Sequence, residues 1–254
     1  MREGEGSGGE RAVSVRAGKA YEAAADRLRA QILDGALPRG TRLPTESVLA
    51  AELGVSRATV REALRLLAAQ GLVRTSKGAR GGSYVTAPSP GHISESLRSG
   101  LDLLAVADDL TLEELLEARE LLEVPAARLA AKRRSLEHLQ RLRGSIPERP
   151  LALASGEQFA LNRDFHSVVI EASGNTLLRI AAQPVFLVLQ THLARSQLGR
   201  RFHRAINDHH RSIASAIEAG RARAAEQEMR AHLRFLRPFY EQAWRYALSA
   251  REQR

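Results

Sequence analysis

The sequence predicts a mainly α-helical protein in which an N-terminal winged helix-turn-helix domain precedes a C-terminal all-helical bundle. Up to residue 87, helical patterns give way to two short β-prone stretches, in the order helix, helix, turn, helix, hairpin. After residue 91, apolar residues recur at helical spacing. Only 4% of the residues are aromatic while 44% are hydrophobic, which favours helices packed through Leu, Ala and Val.

The composition predicts a cytoplasmic protein with an anionic partner. The formal net charge of +9 favours nucleic acid, although an Arg-rich composition from a GC-rich genome would give the same charge. The absence of Cys excludes disulfides and thiolate metal sites. No apolar run reaches the roughly 18 residues of a membrane span. Residues 1–18 lack the apolar core of a signal peptide and are expected to form a flexible tail.

Residues 19–87 are predicted to form the first domain, which begins with a helix over 19–33 that ends before Gly35. The apolar residues that define this helix are Tyr21, Leu28 and Ile32. A loop with two prolines follows, after which Thr45 can N-cap a short helix over 46–53.

Gly54 marks a tight turn, because glycine tolerates the positive φ angle that such a turn needs. Ser56 can cap a second helix, which Gly71 ends. Its inward apolar stripe is formed by Val60, Leu64 and Leu67. Beyond it, β-prone stretches over 72–75 and 83–86 enclose KGARGG, a basic, glycine-rich hairpin tip.

The second helix of this pair carries a basic stripe. Arg57, Arg61 and Arg65 are spaced by four residues and share one face. Arginine bonds guanine or phosphate, and a helix N-terminus attracts phosphate. The stripe alone could be a solvated helix face, but segment 54–80 holds six Lys or Arg against one acidic residue, which predicts DNA binding. The expected DNA-contacting residues are Arg57, Thr59, Arg61 and Arg65 in the major groove, and Lys77 and Arg80 at the flanking groove.

The stretch LPRGTRLPTESVLAAELGVSRATVREALRLLAAQGLVRTSKGARGGSYV resembles the DNA-binding domain of the GntR family over about residues 20–87. The resemblance implies a homodimer on a two-fold related operator. It also implies that Arg57 and Arg61 contact bases and phosphates and that Thr59 contacts the DNA backbone. The wing residues that would enter the minor groove are Lys77 and Gly78.

One position departs from the pattern of that family. Where the family commonly has Arg, this chain has Ser47. One DNA contact is therefore either missing or replaced by Arg42 or Arg39.

Residues 88–254 are predicted to form the second domain, joined to the first through APSPG, residues 87–91. Thr111 and Glu114 form a capping box for a helix that runs to about residue 132. Further helices are predicted over 135–143, 155–173, 176–198, 202–219 and 221–249.

Three of the eight histidines lie on apolar stripes of different predicted helices, namely His166, His210 and His232. Burying three imidazoles without partners is costly, whereas convergence on one Zn²⁺ or Ni²⁺ would satisfy them. Each alone could equally be a hydrogen-bonded core residue, and His209 could replace His210. The remaining histidines, predicted to lie at the surface or in loops, are His92, His138, His192 and His203.

An oxygen ligand is available beside these histidines. Asn162 lies four residues before His166 and projects from the same helix face. Asp164 is two residues from His166, projects elsewhere, and is the poorer candidate.

The stretches EARELLEVPAARLAA, LNRDFHSVVIEASGN, DHHRSIASAIEAG and MRAHL resemble the FCD ligand-binding domain of the FadR subfamily, over roughly 93–247. The resemblance implies six or seven helices around a cavity where one Asp or Asn and three His hold a divalent metal. The matching ligands are Asn162, His166, His210 and His232. Because the usual first ligand is Asp, the neutral Asn162 should weaken the metal.

A metal held by three imidazoles and an amide keeps its positive charge, which would attract a carboxylate. The resemblance likewise implies small organic or sugar acids as effectors. Arg119 could pair with Glu123 four residues later, or line the cavity as the corresponding arginine often does in the family. Further candidate anion-binding residues are Arg163 and Arg195.

These features predict a transcriptional regulator, with repression as the commoner behaviour of the family, whose operator affinity changes when the acid binds. The chain is not expected to be an enzyme. A metal-dependent hydrolase is the alternative from another class, and it is disfavoured because no inward acidic residue supplies a general base. A nonspecific DNA-binding protein would instead bind any duplex equally at matched salt.

Overall fold

The structure, a computed structural model, describes residues 7–76, 78, 81–148, 153, 155–192 and 200–252. The chain forms two compact units, the first ending at His92 and the second beginning at Ile93. The elements of the first unit are α1 (Ser7–Leu33), α2 (Glu46–Leu53), α3 (Arg57–Ala69), β1 (Val73–Ser76) and β2 (Gly82–Val85).

Helix α1 is longer than the sequence pattern indicated. It begins at Ser7, whereas the predicted start was residue 19, after a tail of 18 residues. The predicted start rested on the apolar residues Tyr21, Leu28 and Ile32, none of which precedes residue 19.

The predicted caps of α2 and α3 are confirmed. The Thr45 hydroxyl accepts a hydrogen bond from the Val48 amide, and the Ser56 hydroxyl accepts one from the Thr59 amide. Gly54 between the helices has a φ of 70°, the left-handed conformation that its position requires. Each cap satisfies an amide that the first helical turn would leave unpaired, so the local sequence fixes where both helices start.

The core of the first unit lies between α1 and α3. Ala25 and Leu28 of α1 are buried in one cluster with the predicted α3 stripe of Val60, Leu64 and Leu67. The ends of the two helices are joined where the Arg29 guanidinium donates to the Gln70 side-chain oxygen. Strands β1 and β2 pair antiparallel, with Val73 opposite Val85.

The second unit is a bundle of helices. In the part of it that the structure describes, the elements are α4 (Pro90–Val106), α5 (Leu112–Arg133), α6 (Leu136–Gly144), α7 (Ser155–Ala172), α8 (Thr176–His192), α9 (Arg200–Glu218) and α10 (Ala222–Glu252). The capping box of Thr111 and Glu114 is confirmed at the start of α5. Helix α4 begins inside the predicted linker, because proline suits the first position of a helix.

Helix α5 contacts α7, α8, α9 and α10 and therefore lies at the centre of the bundle. The predicted α8 extended to residue 198, but the part of it beyond His192 lies outside the described residues. Within the described parts of the chain, no helix is both long and apolar enough to cross a membrane.

Candidate DNA-reading face and metal centre

Two of the predicted DNA-contacting arginines are exposed on α3 and form no hydrogen bond or ion pair with a described residue outside that helix. Arg57 is exposed and makes no hydrogen bond or ion pair with any described residue. Arg65 is also exposed and pairs only with Glu62, one turn earlier, at 2.6 Å. Exposed intrahelical pairs are weak, so both guanidinium groups are available to an external anion.

Arg61 is held more firmly than its neighbours. Its Nε and Nη2 atoms donate to the two carboxylate oxygens of Glu46 on α2, at 3.1 and 2.7 Å. The hydrogen bonds from Arg61 lower the pKa of Glu46, so the acid stays ionised. A two-point contact of this kind fixes the plane of the guanidinium as well as its position.

The Thr59 hydroxyl lies 2.8 Å from the Ser56 hydroxyl, so the predicted backbone-contacting residue also belongs to the cap of α3. Ser47 is exposed on α2. Of its two candidate replacements, Arg42 donates from Nη2 to the Gly81 carbonyl at 2.7 Å, next to the start of β2 in the hairpin tip. Arg39 is exposed in the preceding loop.

The predicted hairpin tip is described only in part. Gly78 is exposed and has a φ of 108°, which glycine adopts far more readily than other residues. The other two predicted tip contacts, Lys77 and Arg80, lie outside the described residues.

The predicted metal-ligating histidines come together in the second unit. His166 on α7, His210 on α9 and His232 on α10 each offer a ring nitrogen, and these nitrogens lie within 4.8 Å of one another. The Nε2 atoms of His166 and His232 are 3.3 Å apart. All three side chains are buried. Because the three histidines lie on helices that are far apart along the chain, only the packing of those helices brings the ring nitrogens together.

Aromatic contacts fix the histidine rings. His210 stacks on Phe165 with ring centroids 3.8 Å apart, and His166 stacks on Phe186 at 4.9 Å. Burial lowers the pKa of His210 and of His232 well below the usual value, so these imidazoles are neutral at physiological pH. Neutral imidazole is the form that ligates metals.

Several buried polar atoms at this site have no hydrogen-bond partner among the described residues, namely His210 Nε2, His232 Nδ1 and Asn162 Oδ1. Leaving such atoms unpaired is costly. Two imidazole nitrogens and an amide oxygen are donors that Zn²⁺ and other divalent transition metals accept. The donor set therefore fits a divalent metal.

Asn162 and His210 also line a small cavity of about 20 Å³, which is space for about one water molecule. Tyr240 and Phe202 are among its other walls. Asp164 is exposed and receives two hydrogen bonds from Arg163 at 3.1 Å, so it turns away from the histidines, as the helical periodicity indicates.

Behind His166 lies a carboxylate that the sequence analysis did not place there. Glu123 is 1% exposed, and its Oε2 atom lies 2.6 Å from His166 Nδ1. The sequence pattern indicated a pairing of Glu123 with Arg119 but not its contact with His166. Glu123 stands among apolar residues of α5, four residues after Arg119, and that context was the available signal. Only the packing of α5 against α7 shows which histidine it meets.

The ion pair of Glu123 with Arg119 is buried on both sides. Arg119 Nε donates to Glu123 Oε1 at 2.6 Å. Burial alone would raise the pKa of Glu123, but Arg119 and His166 outweigh it and lower the pKa to about 2. Glu123 is therefore a carboxylate that already holds two partners.

The three predicted effector-binding arginines are not gathered at one place. Arg119 is 1% exposed, and its Cζ lies 4.9 Å from the Phe186 ring centroid. Arg163 is exposed and lines a surface depression with Arg141 rather than the cavity beside His210. Arg195 lies outside the described residues.

His209, the alternative to His210, is half-buried and packs on Phe235 with ring centroids 4.9 Å apart. It does not belong to the group of converging ring nitrogens. The spacing that centred His210 on the apolar stripe of α9 therefore identified the inward residue of the two.

Two family models match this chain. Residues 20–85 match the family described as bacterial regulatory proteins, gntR family, and residues 114–235 match the FCD domain. Among solved structures, Streptococcus agalactiae GntR superposes with a TM-score of 0.57 at 29% identity, covering 86% of this chain and 99% of that one.

Several curated relatives align along most of their length. The HTH-type transcriptional regulator LutR of Bacillus subtilis is 33% identical, covering 80% of this chain and 92% of the relative. The putative L-lactate dehydrogenase operon regulatory protein of Escherichia coli is 31% identical over 84% of this chain and 83% of its own. The Uxu operon transcriptional regulator of Escherichia coli is 34% identical, with 76% of each chain covered.

Proposed function

Because the chain belongs to the GntR family of bacterial transcriptional regulators and carries an FCD domain, we propose that it is a metabolite-controlled repressor. Its first unit binds operator DNA. Its second unit holds a divalent metal, Zn²⁺ or Ni²⁺, and binds a small organic acid beside it. Binding of the acid lowers the affinity of the protein for the operator. The active species is a homodimer, which matches a two-fold related operator.

The exposed arginine face of α3 supports the DNA-binding part of the proposal. Among the described residues Arg57 has no partner, Arg65 is weakly paired, and Arg61 is oriented by Glu46. A guanidinium in a fixed orientation, such as that of Arg61, suits guanine edges and phosphates of the major groove, and Arg57 and Arg65 remain available beside it. A nonspecific binder needs only charge and no such fixed orientation.

The observation that carries the metal part is the convergence of His166, His210 and His232 with unpartnered donor atoms. Asn162, with its buried and unpartnered Oδ1 atom, is the proposed oxygen ligand. When bound, the metal supplies a positively charged centre for an anionic ligand.

The chemistry of the ligand set favours a carboxylate effector. Three neutral imidazoles and an amide leave the charge of a divalent cation uncompensated, and the small cavity lined by Asn162 and His210 is where an anionic ligand would approach it. One relative is named for an L-lactate dehydrogenase operon, and lactate is a small hydroxy acid. We therefore expect a short hydroxy acid or sugar acid.

No observation favours a hydrolase. The inward carboxylate of Glu123 lies on the Nδ1 side of His166, away from His232, and it is fully engaged by Arg119 and His166. A general base must reach the water or substrate whose proton it removes. The family comparisons likewise point to regulators.

Native mass spectrometry and elemental analysis of the gently purified full chain test the proposal. We expect about one Zn²⁺ or Ni²⁺ ion per chain, lost in His210→Ala and retained in the matched control His209→Ala. Operator duplexes selected from random DNA should bind the loaded protein and be released by one member of a panel of hydroxy and sugar acids. Equal metal content in the two variants would refute the proposed metal site. Failure of every acid in the panel to release the operator would refute the proposed acid effector.

A further inference from the structure

Two buried charged residues, Glu123 and Arg119, form a chain of hydrogen bonds that starts at His166. Glu123 Oε2 lies 2.6 Å from His166 Nδ1, and Glu123 Oε1 accepts a hydrogen bond from Arg119 Nε at 2.6 Å. Arg119 and Glu123 are each 1% exposed. Among the residues whose burial the structure describes, Glu123 is the one buried carboxylate. It contacts a histidine of the proposed metal centre.

The carboxylate determines which nitrogen of His166 carries the proton. An ionised carboxylate can only accept hydrogen bonds, so His166 Nδ1 must be the donor. A neutral imidazole has one N–H, which leaves His166 Nε2 with a free lone pair. That atom lies 3.3 Å from His232 Nε2, which in the metal-free protein must therefore be the donor between the two rings. His232 Nδ1 is then an unprotonated nitrogen whose lone pair has no hydrogen-bond partner among the described residues.

We propose that Glu123 and Arg119 are positioning residues, which set His166 in the tautomer whose free Nε2 faces the metal position. This inference rests on the metal site of the proposed function and deepens it. Histidine ligands commonly donate their second N–H to a carboxylate, which orients the ring and raises its basicity. The Glu123 carboxylate matters more in this chain than in a site with an Asp ligand, because Asn162 brings no negative charge to the ligand set.

Arg119 is thereby assigned to Glu123 and not to the effector. Its guanidinium lies 4.9 Å from the Phe186 ring centroid and 5.7 Å from that of Tyr240. These contacts and the ion pair enclose it. Its Nη1 atom has no hydrogen bond of regular geometry, although the Tyr240 hydroxyl is close enough to affect the Arg119 pKa. An effector carboxylate at Nη1 is thus the competing role.

The first test needs no metal. Long-range ¹H–¹⁵N spectra of the chelator-treated full chain should show His166 protonated at Nδ1 and His232 protonated at Nε2. In Glu123→Gln, whose amide can either donate or accept, His166 should become a mixture of tautomers. A wild-type His166 protonated at Nε2, or a tautomer that Glu123→Gln leaves unchanged, would overturn the proposal. This result stands even if the protein binds no metal.

The second test measures Zn²⁺ affinity by competition with a chelating dye. Glu123→Gln and Arg119→Met should each weaken Zn²⁺ binding by about 10–100-fold, as loss of a supporting carboxylate does elsewhere. The matched control is Glu120→Gln, a half-buried acid on the same helix that pairs with Arg230, and it should retain wild-type affinity. Failure of wild type to bind Zn²⁺ would refute the proposed metal site but leave the tautomer result decisive.

The two roles of Arg119 give opposite results in the same assay. A positioning residue changes Zn²⁺ affinity in the absence of any acid. If Arg119→Met binds Zn²⁺ like wild type but no longer responds to the acid panel, Arg119 is an effector ligand and its assignment here is wrong. Should a single variant fail to fold, the double variant Arg119→Met/Glu123→Gln removes both buried charges together and should show the same loss of affinity.

Discussion

Glu46 on α2 and Arg61 on α3 form a two-point ion pair across the turn of the helix-turn-helix, with both carboxylate oxygens engaged. The pair joins the supporting helix to the reading helix at a solvent-exposed place. It therefore restricts the orientation of an arginine that the DNA-binding proposal assigns to the operator. Arg57, one turn earlier on α3, has no such support.

Arg57→Ala should relax the base preference of the protein and weaken operator binding by about 1–3 kcal/mol, as expected for a bidentate base contact. The matched control is Arg179→Ala, which removes the same charge from the exposed surface of α8. Fluorescence anisotropy with operator and scrambled duplexes at one salt concentration measures both. Unchanged discrimination between the duplexes in Arg57→Ala would contradict this role.

Glu46→Ala should reduce discrimination between operator and scrambled DNA by about two- to tenfold, because Arg61 then pays the cost of ordering its side chain on binding. Affinity for scrambled DNA should rise slightly, because a negative charge is lost. Glu52→Ala, an exposed acid of the same helix, provides the comparison. If both variants discriminate equally well, Glu46 does not orient Arg61 for DNA.

Asn162→Asp should raise Zn²⁺ affinity by more than about tenfold, because a carboxylate at the proposed oxygen-ligand position adds a full opposing charge. Asn162→Ala should lower it. Titration of the chelator-treated protein against a competing dye gives both numbers. No gain of affinity in Asn162→Asp, or a loss in Asp164→Asn, a change at the exposed neighbour, as large as in Asn162→Ala, would show that Asn162 is not the ligand.

The metal-free protein should lose stability as the pH falls below about 6.5, the usual histidine value. Burial lowers the pKa of His210 and His232 in the folded state, so the unfolded chain binds more protons in this range. For each such histidine, the free energy of unfolding falls by up to about 1.4 kcal/mol per pH unit, until the pH reaches the lowered pKa of that histidine. Urea denaturation at pH 7.5, 6.5 and 5.5 measures the slope.

His232→Phe should flatten that slope, whereas His92→Phe, a change at an exposed histidine, should leave it as in wild type. Identical slopes in all three proteins would mean that His232 is not a source of the pH dependence.

Local signals carried most of the sequence-based fold prediction. The caps at Thr45, Ser56 and Thr111 act within one helical turn, so residue type and spacing were enough to place three helix starts. The start of α1 at Ser7 was not predicted, because the helix was located by an apolar spacing that begins at Tyr21.

The metal centre was predictable only in part. Periodicity identified His166, His210 and His232 as inward residues, but their convergence depends on how α7, α9 and α10 pack. The contact between Glu123 and His166 joins residues 43 positions apart, and no pattern along the chain reports such a pairing. Tertiary packing, not local sequence, thus determines the support of the site.

If the proposed function is right, release of the operator by the acid depends on the metal centre, and one titration measures this dependence. A labelled operator duplex is bound to the Zn²⁺-loaded protein, and the active acid is added to wild type and to His166→Ala. We expect the acid to release DNA from wild type, by a coupling of about 1–3 kcal/mol, and to leave the His166→Ala complex intact. Equal release from both proteins would contradict it.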